Sequence, residues 1–160
     1  MRIATRKASD VLALAIATCG VGYLPLMPGT FGSLVAVAIF VWLVKASVVG
    51  VVIAIVAFTC AGIWAGSRTE ELSGRKDPGK VVVDEVAGQL IALFPLTLFP
   101  SWSRVAVIVS FILFRFFDIV KPYPANRLQE LDGGLGIMCD DLVAGAYAGL
   151  ITAIVMAVVL

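Results

Sequence analysis

Apolar residues along the chain fall into long uninterrupted runs. Residues 46–67, 86–103 and 142–160 contain no charged side chain at all. Each run approaches the roughly 20 apolar residues that a helix needs to cross a bilayer. A soluble helix of that length would show a polar stripe. The pattern therefore predicts a protein built from membrane-spanning helices.

We expect five spans preceded by one shorter helix. Prolines and glycines between Pro25 and Gly32 interrupt the charge-free segment 11–44, which indicates two helices around an irregular loop. The first helix, at about 10–24, is short for a span and is expected to be interfacial or re-entrant. The spans are predicted at 32–46, 48–67, 84–99, 104–120 and 141–160. The predicted fold is an all-α polytopic membrane helical bundle that forms one domain over 1–160, with a kink at Pro95.

Composition supports a membrane protein and argues against a nucleic-acid-binding protein and against a disulfide-rich one. Hydrophobic residues make up 61% of the chain and charged residues 14%, with a mean hydropathy of +1.04, whereas soluble domains carry about 25% charged residues. The net charge of +1 and the scattered basic residues give no reason to expect nucleic acid. Cys19, Cys60 and Cys139 are odd in number and widely spaced, so we expect small buried side chains rather than disulfides.

The basic residues predict the orientation of the bundle. All twelve lysines and arginines except Lys45 and Arg104 lie in the N-terminus, the 68–83 loop or the 115–140 region. These segments share one side of the membrane if the first helix does not cross it. Because basic loops favour the cytoplasm, the charged face is expected to be cytoplasmic.

Acidic residues gather at predicted helix ends on this same face. Asp84 and Glu85 precede the third span, and Asp140 and Asp141 open the last one. A helix N-terminus favours negative charge, so capping would explain either pair alone. Two such pairs on one side indicate a site.

Charged residues also occur inside the fourth predicted span. Arg115, Asp118 and Lys121 follow one another at intervals of three and share a helix face. A snorkelling arginine paired locally with Asp118 is one interpretation. The other is a functional site, because ionisable groups in membrane segments are costly and usually serve a purpose.

Two glycine-bearing segments complete the candidate chemistry. Pro28–Ser33 and Gly133–Gly136 each lead into a helix, where free backbone N–H groups can bind an anion, although ordinary turns have the same composition. Carboxylates, basic groups and anion-binding backbone on one face suit Mg²⁺ and a phosphate ligand. The simplest match is phosphoryl chemistry on a lipid.

The absence of certain residues and motifs from the sequence limits the possible mechanisms of phosphoryl transfer. The chain has no histidine, which excludes phosphohistidine enzymes. None of the cysteines is followed by an arginine at the spacing of cysteine phosphatases, and Asp140 and Asp141 are adjacent rather than in an Asp-x-Asp loop. Metal-assisted hydrolysis remains, in which a metal ion polarises the phosphoryl group and activates a water.

Four motifs resemble those of the phosphatidylglycerophosphatase A family. They are Pro28–Leu34, Asp84–Gly88, Phe114–Pro124 and Gly133–Gly145, and the resemblance runs from about residue 10 to the end. It implies a Mg²⁺-dependent enzyme of the bacterial inner membrane. Such an enzyme removes the terminal phosphate of phosphatidylglycerophosphate to give phosphatidylglycerol, in phospholipid biosynthesis.

The resemblance carries over eight residues within these motifs: Thr30, Asp84, Glu85, Arg115, Asp118, Lys121, Asp140 and Asp141. As hypotheses, Asp84, Asp118 and Asp141 would hold Mg²⁺. Glu85 or Asp140 would orient or deprotonate the attacking water, although an aspartyl-phosphate intermediate stays open. Arg115 and Lys121 would bind the phosphate.

The loop at the start of the second helix is expected to assist. Backbone N–H groups near Gly29 and Thr30, with Ser33, would add phosphate contacts, and Thr30 also counts among the catalytic candidates. Asp132 lies outside the matching positions and is expected to be a loop acid only.

Two alternatives remain. A CDP-alcohol phosphotransferase also places aspartates at helix ends, but its Asp-Gly-x2-Ala-Arg pattern fails after Asp132-Gly133, where positions 136 and 137 are glycine and isoleucine. A membrane transporter would also have broken helices and intramembrane charge, though at mid-depth rather than near one interface. The sequence leaves the oligomeric state open.

Overall fold

The chain forms a helical bundle. The computed structural model describes residues 7–45, 47–99 and 102–159, so the predicted orientation signals Arg2 and Arg6 lie outside it. Its helices are α1 Ala8–Thr18, α2 Pro28–Val44, α3 Val48–Ser73, α4 Val83–Leu93, α5 Arg104–Val120, α6 Ala125–Leu128 and α7 Gly133–Val159. No strand occurs in these described ranges, and the all-α prediction is confirmed.

Helix α4 lies at the centre of the bundle. It packs against α7, α2, α3 and α5. Its apolar residues Val86, Leu90 and Leu93 are fully buried in a core that includes Ala36 and Phe40 of α2. The two acidic residues of this buried helix, Asp84 and Glu85, stand in its first turn, and its other polar side chain, Gln89, is buried in its middle.

Glycines set the distance between α4 and α7. A Cβ at Gly88 would lie 2.5 Å from the carbonyl oxygen of Asp141, and one at Gly145 would lie 2.3 Å from that of Gly88. Small residues let helix backbones approach closely in membranes. This contact brings the first turn of α4 beside Asp141.

Helix α5 has the predicted bounds, and the predicted third span is interrupted near its middle. There α4 ends at Leu93, and a 3₁₀ helix continues over Phe94–Leu98 with Pro95 in its first turn. Proline lacks the N–H that an α-helix needs at this point, which explains the change of helix type.

The last helix begins earlier than predicted. It starts at Gly133 rather than near 141, so Asp140 and Asp141 lie about two turns inside α7 and do not open it. The glycines of this segment serve close packing: an added Cβ at Gly134 would lie 1.9 Å from the carbonyl oxygen of Ile63. In the same way, α2 begins at Pro28, so the predicted loop up to residue 33 is already helical.

Helix α1 packs along α3, which extends to Ser73 and takes up part of the predicted 68–83 loop. Arg68 binds the buried Asp10 at 2.8 Å, and the N–H of Val82 donates to the carbonyl oxygen of Ala17. These contacts hold α1 against the segment that leads into α4. The cysteines were predicted to be buried, but Cys19 and Cys139 are half-buried and Cys60 on α3 is exposed.

Among the residues that the structure describes, two helices are long and apolar enough to cross a membrane, α3 over Val48–Ser73 and α7 over Gly133–Val158. Helices α1 and α2 are apolar but shorter.

Candidate active site

Three carboxylates from two helices meet at one end of the bundle. Asp84 and Glu85 lie in the first turn of α4, and Asp141 lies in α7. One oxygen from each lies within 4.8 Å of the others. Asp84 and Asp141 are buried, and Asp84 Oδ1 and Glu85 Oε2 have no hydrogen-bond partner within the described part of the chain. Carboxylates this close repel one another unless a cation or protons neutralise them.

A lysine at the end of α5 binds a further carboxylate, that of Asp140, which precedes Asp141 in α7. Lys121 ends α5 in the left-handed conformation, with φ of 45°, and its N–H donates to the carbonyl oxygen of Phe117. Its ammonium group donates to Asp140 Oδ2. Asp140 is buried, and its other oxygen, Oδ1, is without a partner among the described residues.

Arg115 links three helices at the same level. Its Nη1 lies 2.6 Å from Asp118 Oδ2 on α5 and 3.9 Å from Glu85 Oε1 on α4. It also lies 3.5 Å from the hydroxyl oxygen of Ser33 on α2, which itself donates to the carbonyl oxygen of Gly29. The guanidinium is therefore partly neutralised by carboxylates on two helices.

The predicted metal ligands are divided between these groups. Asp84 and Asp141 come together with Glu85, while Asp118 pairs with Arg115. The local pair that the sequence suggested for Arg115 and Asp118 is thus present, but it borders the carboxylate cluster through Glu85 rather than standing apart.

The first turn of α2 lies against the cluster. A Cβ at Gly29 would lie 1.9 Å from Glu85 Oε1 and 3.2 Å from Arg115 Nη1, so only glycine fits without moving the carboxylate. The N–H of Thr30 donates to the carbonyl oxygen of Met27 at 2.9 Å and is already used by the start of the helix. The N–H of Gly29 is therefore better placed than that of Thr30 for the predicted backbone contact, while the Ser33 hydroxyl, like the Thr30 N–H, already donates within α2.

Asp77 is a neighbour of the site that sequence reasoning missed. It lies in the loop between α3 and α4 with φ of 44°, and its N–H donates to Glu70 Oε2. Partial desolvation of the carboxylate raises the pKa of Asp77 above its ordinary value, while the Lys121 ammonium opposes this rise. The sequence Asp77-Pro78-Gly79 could have indicated a turn that places this aspartate near Asp84. Aspartate tolerates the left-handed conformation that such turns use.

Asp132 is exposed immediately before α7. This position agrees with the expectation of a loop acid, and nothing in its surroundings adds it to the carboxylate cluster.

Known proteins resemble the chain over most of its length. The family model for phosphatidylglycerophosphatase A matches residues 14–156. A phosphatidylglycerophosphatase A of Haemophilus influenzae is 39% identical over 134 residues, covering 81% of this chain and 78% of the relative. One of Escherichia coli is 33% identical over 145 residues, covering 89% and 81%.

A third relative has a different name. It is a Bacteroides thetaiotaomicron protein that carries a provisional phosphatidylinositol-3-phosphatase name, and it is 39% identical over 140 residues, covering 84% of this chain and 87% of the relative. No solved structure matches the chain. The family match over nearly the whole length confirms the resemblance seen in the four motifs, and the chain belongs to the phosphatidylglycerophosphatase A family.

Proposed function

We propose that the chain is a Mg²⁺-dependent lipid phosphatase that hydrolyses phosphatidylglycerophosphate to phosphatidylglycerol and phosphate, in phospholipid biosynthesis. One observation carries the proposal: Asp84, Glu85 and Asp141 converge, with Arg115 and Lys121 beside them, in a member of this family. The family match favours this activity over a transporter or a CDP-alcohol phosphotransferase.

The carboxylate cluster fits a small divalent cation. Its ligand atoms are all oxygens, which Mg²⁺ prefers, and Mg²⁺ is usually held by one or two carboxylates together with substrate phosphate oxygens. The unpartnered oxygens of Asp84 and Glu85 are ligand atoms that such an ion would bind. Asp84 and Asp141 would hold it with Glu85, and Asp118 remains a further candidate ligand. When bound, Mg²⁺ polarises the phosphoryl group and lowers the pKa of a coordinated water.

Arg115 and Lys121 are suited to bind the phosphate. An arginine has five N–H donors, so Arg115 can keep Asp118 and still donate to a phosphate oxygen. Lys121 supplies a point charge next to Asp140. The N–H of Gly29, in the first turn of α2, would add a neutral donor. The Ser33 hydroxyl would add another by turning away from the carbonyl oxygen of Gly29.

Glu85 and Asp140 are the candidates for activating water. Each has one carboxylate oxygen without a partner in the described ranges. The other oxygen faces a basic side chain, which is Arg115 for Glu85 and Lys121 for Asp140. The carboxylate takes a proton from water as the new P–O bond forms. The bond from phosphorus to the glycerol oxygen breaks, and that oxygen leaves with a proton returned by the carboxyl group, which is thereby restored to a carboxylate. Attack by an aspartate would instead leave an aspartyl phosphate, which beryllofluoride would mimic in a trapped complex.

We propose that one membrane-embedded domain of five spans carries this site on the cytoplasmic face of the bacterial inner membrane. Helices α2 and α5 have 17 residues each, about 25 Å at 1.5 Å per residue, and α4 is prolonged by its 3₁₀ helix. Helix α1, with 11 residues, is too short for a hydrocarbon core of about 30 Å and would lie at the interface.

The assay that tests this function compares lipid headgroups. Purified protein in detergent–lipid micelles with Mg²⁺ receives phosphatidylglycerophosphate, phosphatidylinositol 3-phosphate or phosphatidic acid, and released phosphate is measured. We expect the highest kcat/KM for phosphatidylglycerophosphate. A preference for phosphatidylinositol 3-phosphate, as the name of the Bacteroides relative suggests for that protein, would overturn the headgroup assignment. Release from none of the three, while the Escherichia coli relative is active in parallel, would overturn the phosphatase proposal.

A further inference from the structure

Gln89 is a polar side chain in the most buried part of the bundle. It lies in the middle of α4 and is 0% exposed. Neither its amide nitrogen nor its amide oxygen has a hydrogen-bond partner within the part of the chain that the structure describes. Burying an unpaired carboxamide is costly, so such a group is expected to have a use.

The position of Gln89 on α4 relates it to Glu85. Residues four apart share a helix face, and side chains on a helix lean towards its N-terminus. The carboxamide of Gln89 therefore lies on the same stripe as Glu85 and leans back towards it. Glu85 Oε2 is itself buried and unpartnered, while its Oε1 faces Arg115. A free donor and a free acceptor thus stand one turn apart.

We propose that Gln89 is a positioning residue that hydrogen-bonds Glu85 in the working site. Its Nε2–H donates to one lone pair of Glu85 Oε2, directly or through one water, and holds the carboxylate in a single orientation between Arg115 and the other acids. The second lone pair of this oxygen stays available for the metal ion or the attacking water. This inference rests on the proposed function, because it assigns Glu85 its orientation for water activation. Groups behind a catalytic residue typically change activity by about 10- to 100-fold when they are removed.

The alternative is that Gln89 is a tolerated polar residue of the core. Gln89→Met separates the two, because methionine is unbranched and of similar length but cannot donate a hydrogen bond. A positioning role predicts that kcat falls by about tenfold or more, while KM for the lipid stays within about twofold. The temperature of unfolding should change little, because methionine keeps the volume of the side chain in the core.

Thr152→Val is the matched control. Thr152 is also buried, with a hydroxyl that has no partner among the described residues, but it lies three turns deeper along α7 than Asp141. Its substitution should leave both kcat and KM unchanged. An unchanged kcat in Gln89→Met, or an equal loss in Thr152→Val, would overturn the positioning role. Gln89→Leu repeats the test if the methionine variant does not fold.

A structural measurement tests the inference without relying on turnover. An experimental structure of the wild-type protein that resolves ordered waters should show Gln89 Nε2 bonded to Glu85, directly or across one water. A carboxamide turned instead to a backbone carbonyl would contradict the proposal. Absence of lipid phosphate hydrolysis by the wild-type protein would overturn the proposed function. The hydrogen bond between Gln89 and Glu85 would still show, independently of turnover, whether Gln89 positions Glu85.

Discussion

At Gly29, the chain passes so close to the candidate site that a methyl group has no room. An added Cβ would lie 1.9 Å from Glu85 Oε1, which is the far end of a side chain and can move aside. The same addition at Gly22 would meet the backbone carbonyl oxygen of Lys80 at 1.9 Å, which cannot yield as easily. A substitution at Gly29 would therefore displace the Glu85 carboxylate and affect catalysis. A substitution at Gly22 would displace the backbone and affect stability.

Gly29→Ala is expected to lower kcat by about tenfold or more, because it shifts Glu85 away from Arg115. Stability should change little, since only a side-chain end has to move. Gly79→Ala is the matched control, because its Cβ would have nothing within 4 Å. Phosphate release and thermal unfolding of the two purified variants check this. Wild-type turnover in Gly29→Ala would remove Glu85 from the mechanism proposed here.

At the scale of single residues, the sequence was sufficient to select the carboxylates that the structure brings together. Asp84, Glu85 and Asp141 were identified because they stand in acidic pairs near predicted helix ends on one face and within the family motifs, whereas Asp118, the third predicted metal ligand, pairs with Arg115. The pairing of Lys121 with Asp140 depends on how the end of α5 approaches α7, which spacing along the chain does not determine. Asp77 was missed because a charged loop with glycine and proline has the composition of a solvated linker.

Among the elements, α1 is attached to the bundle by a charged contact near its start. Arg68 on α3 binds Asp10 Oδ1 through two of its nitrogens, at 2.9 and 2.8 Å. The hydrogen bond from Arg68 lowers the pKa of the Asp10 carboxyl below its ordinary value. A carboxyl whose pKa is lowered on folding stabilises the folded state above its unfolded pKa, and this contribution is lost as the pH falls through the folded value.

Asp10→Asn tests that contact. The unfolding temperature of the wild-type protein should fall from about pH 5 to about pH 3 as Asp10 becomes protonated. The variant should start lower at neutral pH and lose less over the same interval. Circular dichroism in detergent micelles follows both curves. Parallel curves for the two proteins would show that Asp10 contributes nothing to the acid sensitivity.

Helix bounds were predictable where one strong local signal sets them. Helix α5 begins and ends as expected, because Ser103 caps its start and Lys121-Pro122 follows its last turn. The start of α7 was misplaced because Gly133, Gly134 and Gly136 have the composition of a loop. Their real role is contact with the backbone of other segments, such as Ile63 and Leu131, and sequence spacing does not reveal such tertiary contacts.

For the whole molecule, five spans with a cytoplasmic site predict which loops are reachable from outside the cell. In a cysteine-free background, a cysteine replacing Lys45 between α2 and α3 should react with a membrane-impermeant maleimide in intact spheroplasts. A cysteine replacing Gly79 should react only after the membrane is opened. Both residues are exposed, so accessibility in the folded protein does not limit the labelling. The reverse pattern, or labelling of both from outside, would contradict the proposed topology.

The proposed hydrolysis of lipid phosphate depends on a carboxylate cluster that holds a metal ion. Its most direct test is phosphate release from phosphatidylglycerophosphate by the wild-type protein, Asp84→Asn and Asp141→Asn, with Mg²⁺ and after removal of divalent ions with EDTA. We predict wild-type turnover that requires Mg²⁺, and a loss of about 100-fold or more in both variants. Their unfolding temperatures without metal should be unchanged or higher, because charge repulsion is relieved. Full wild-type activity in EDTA, or retained activity in both variants, would contradict the account.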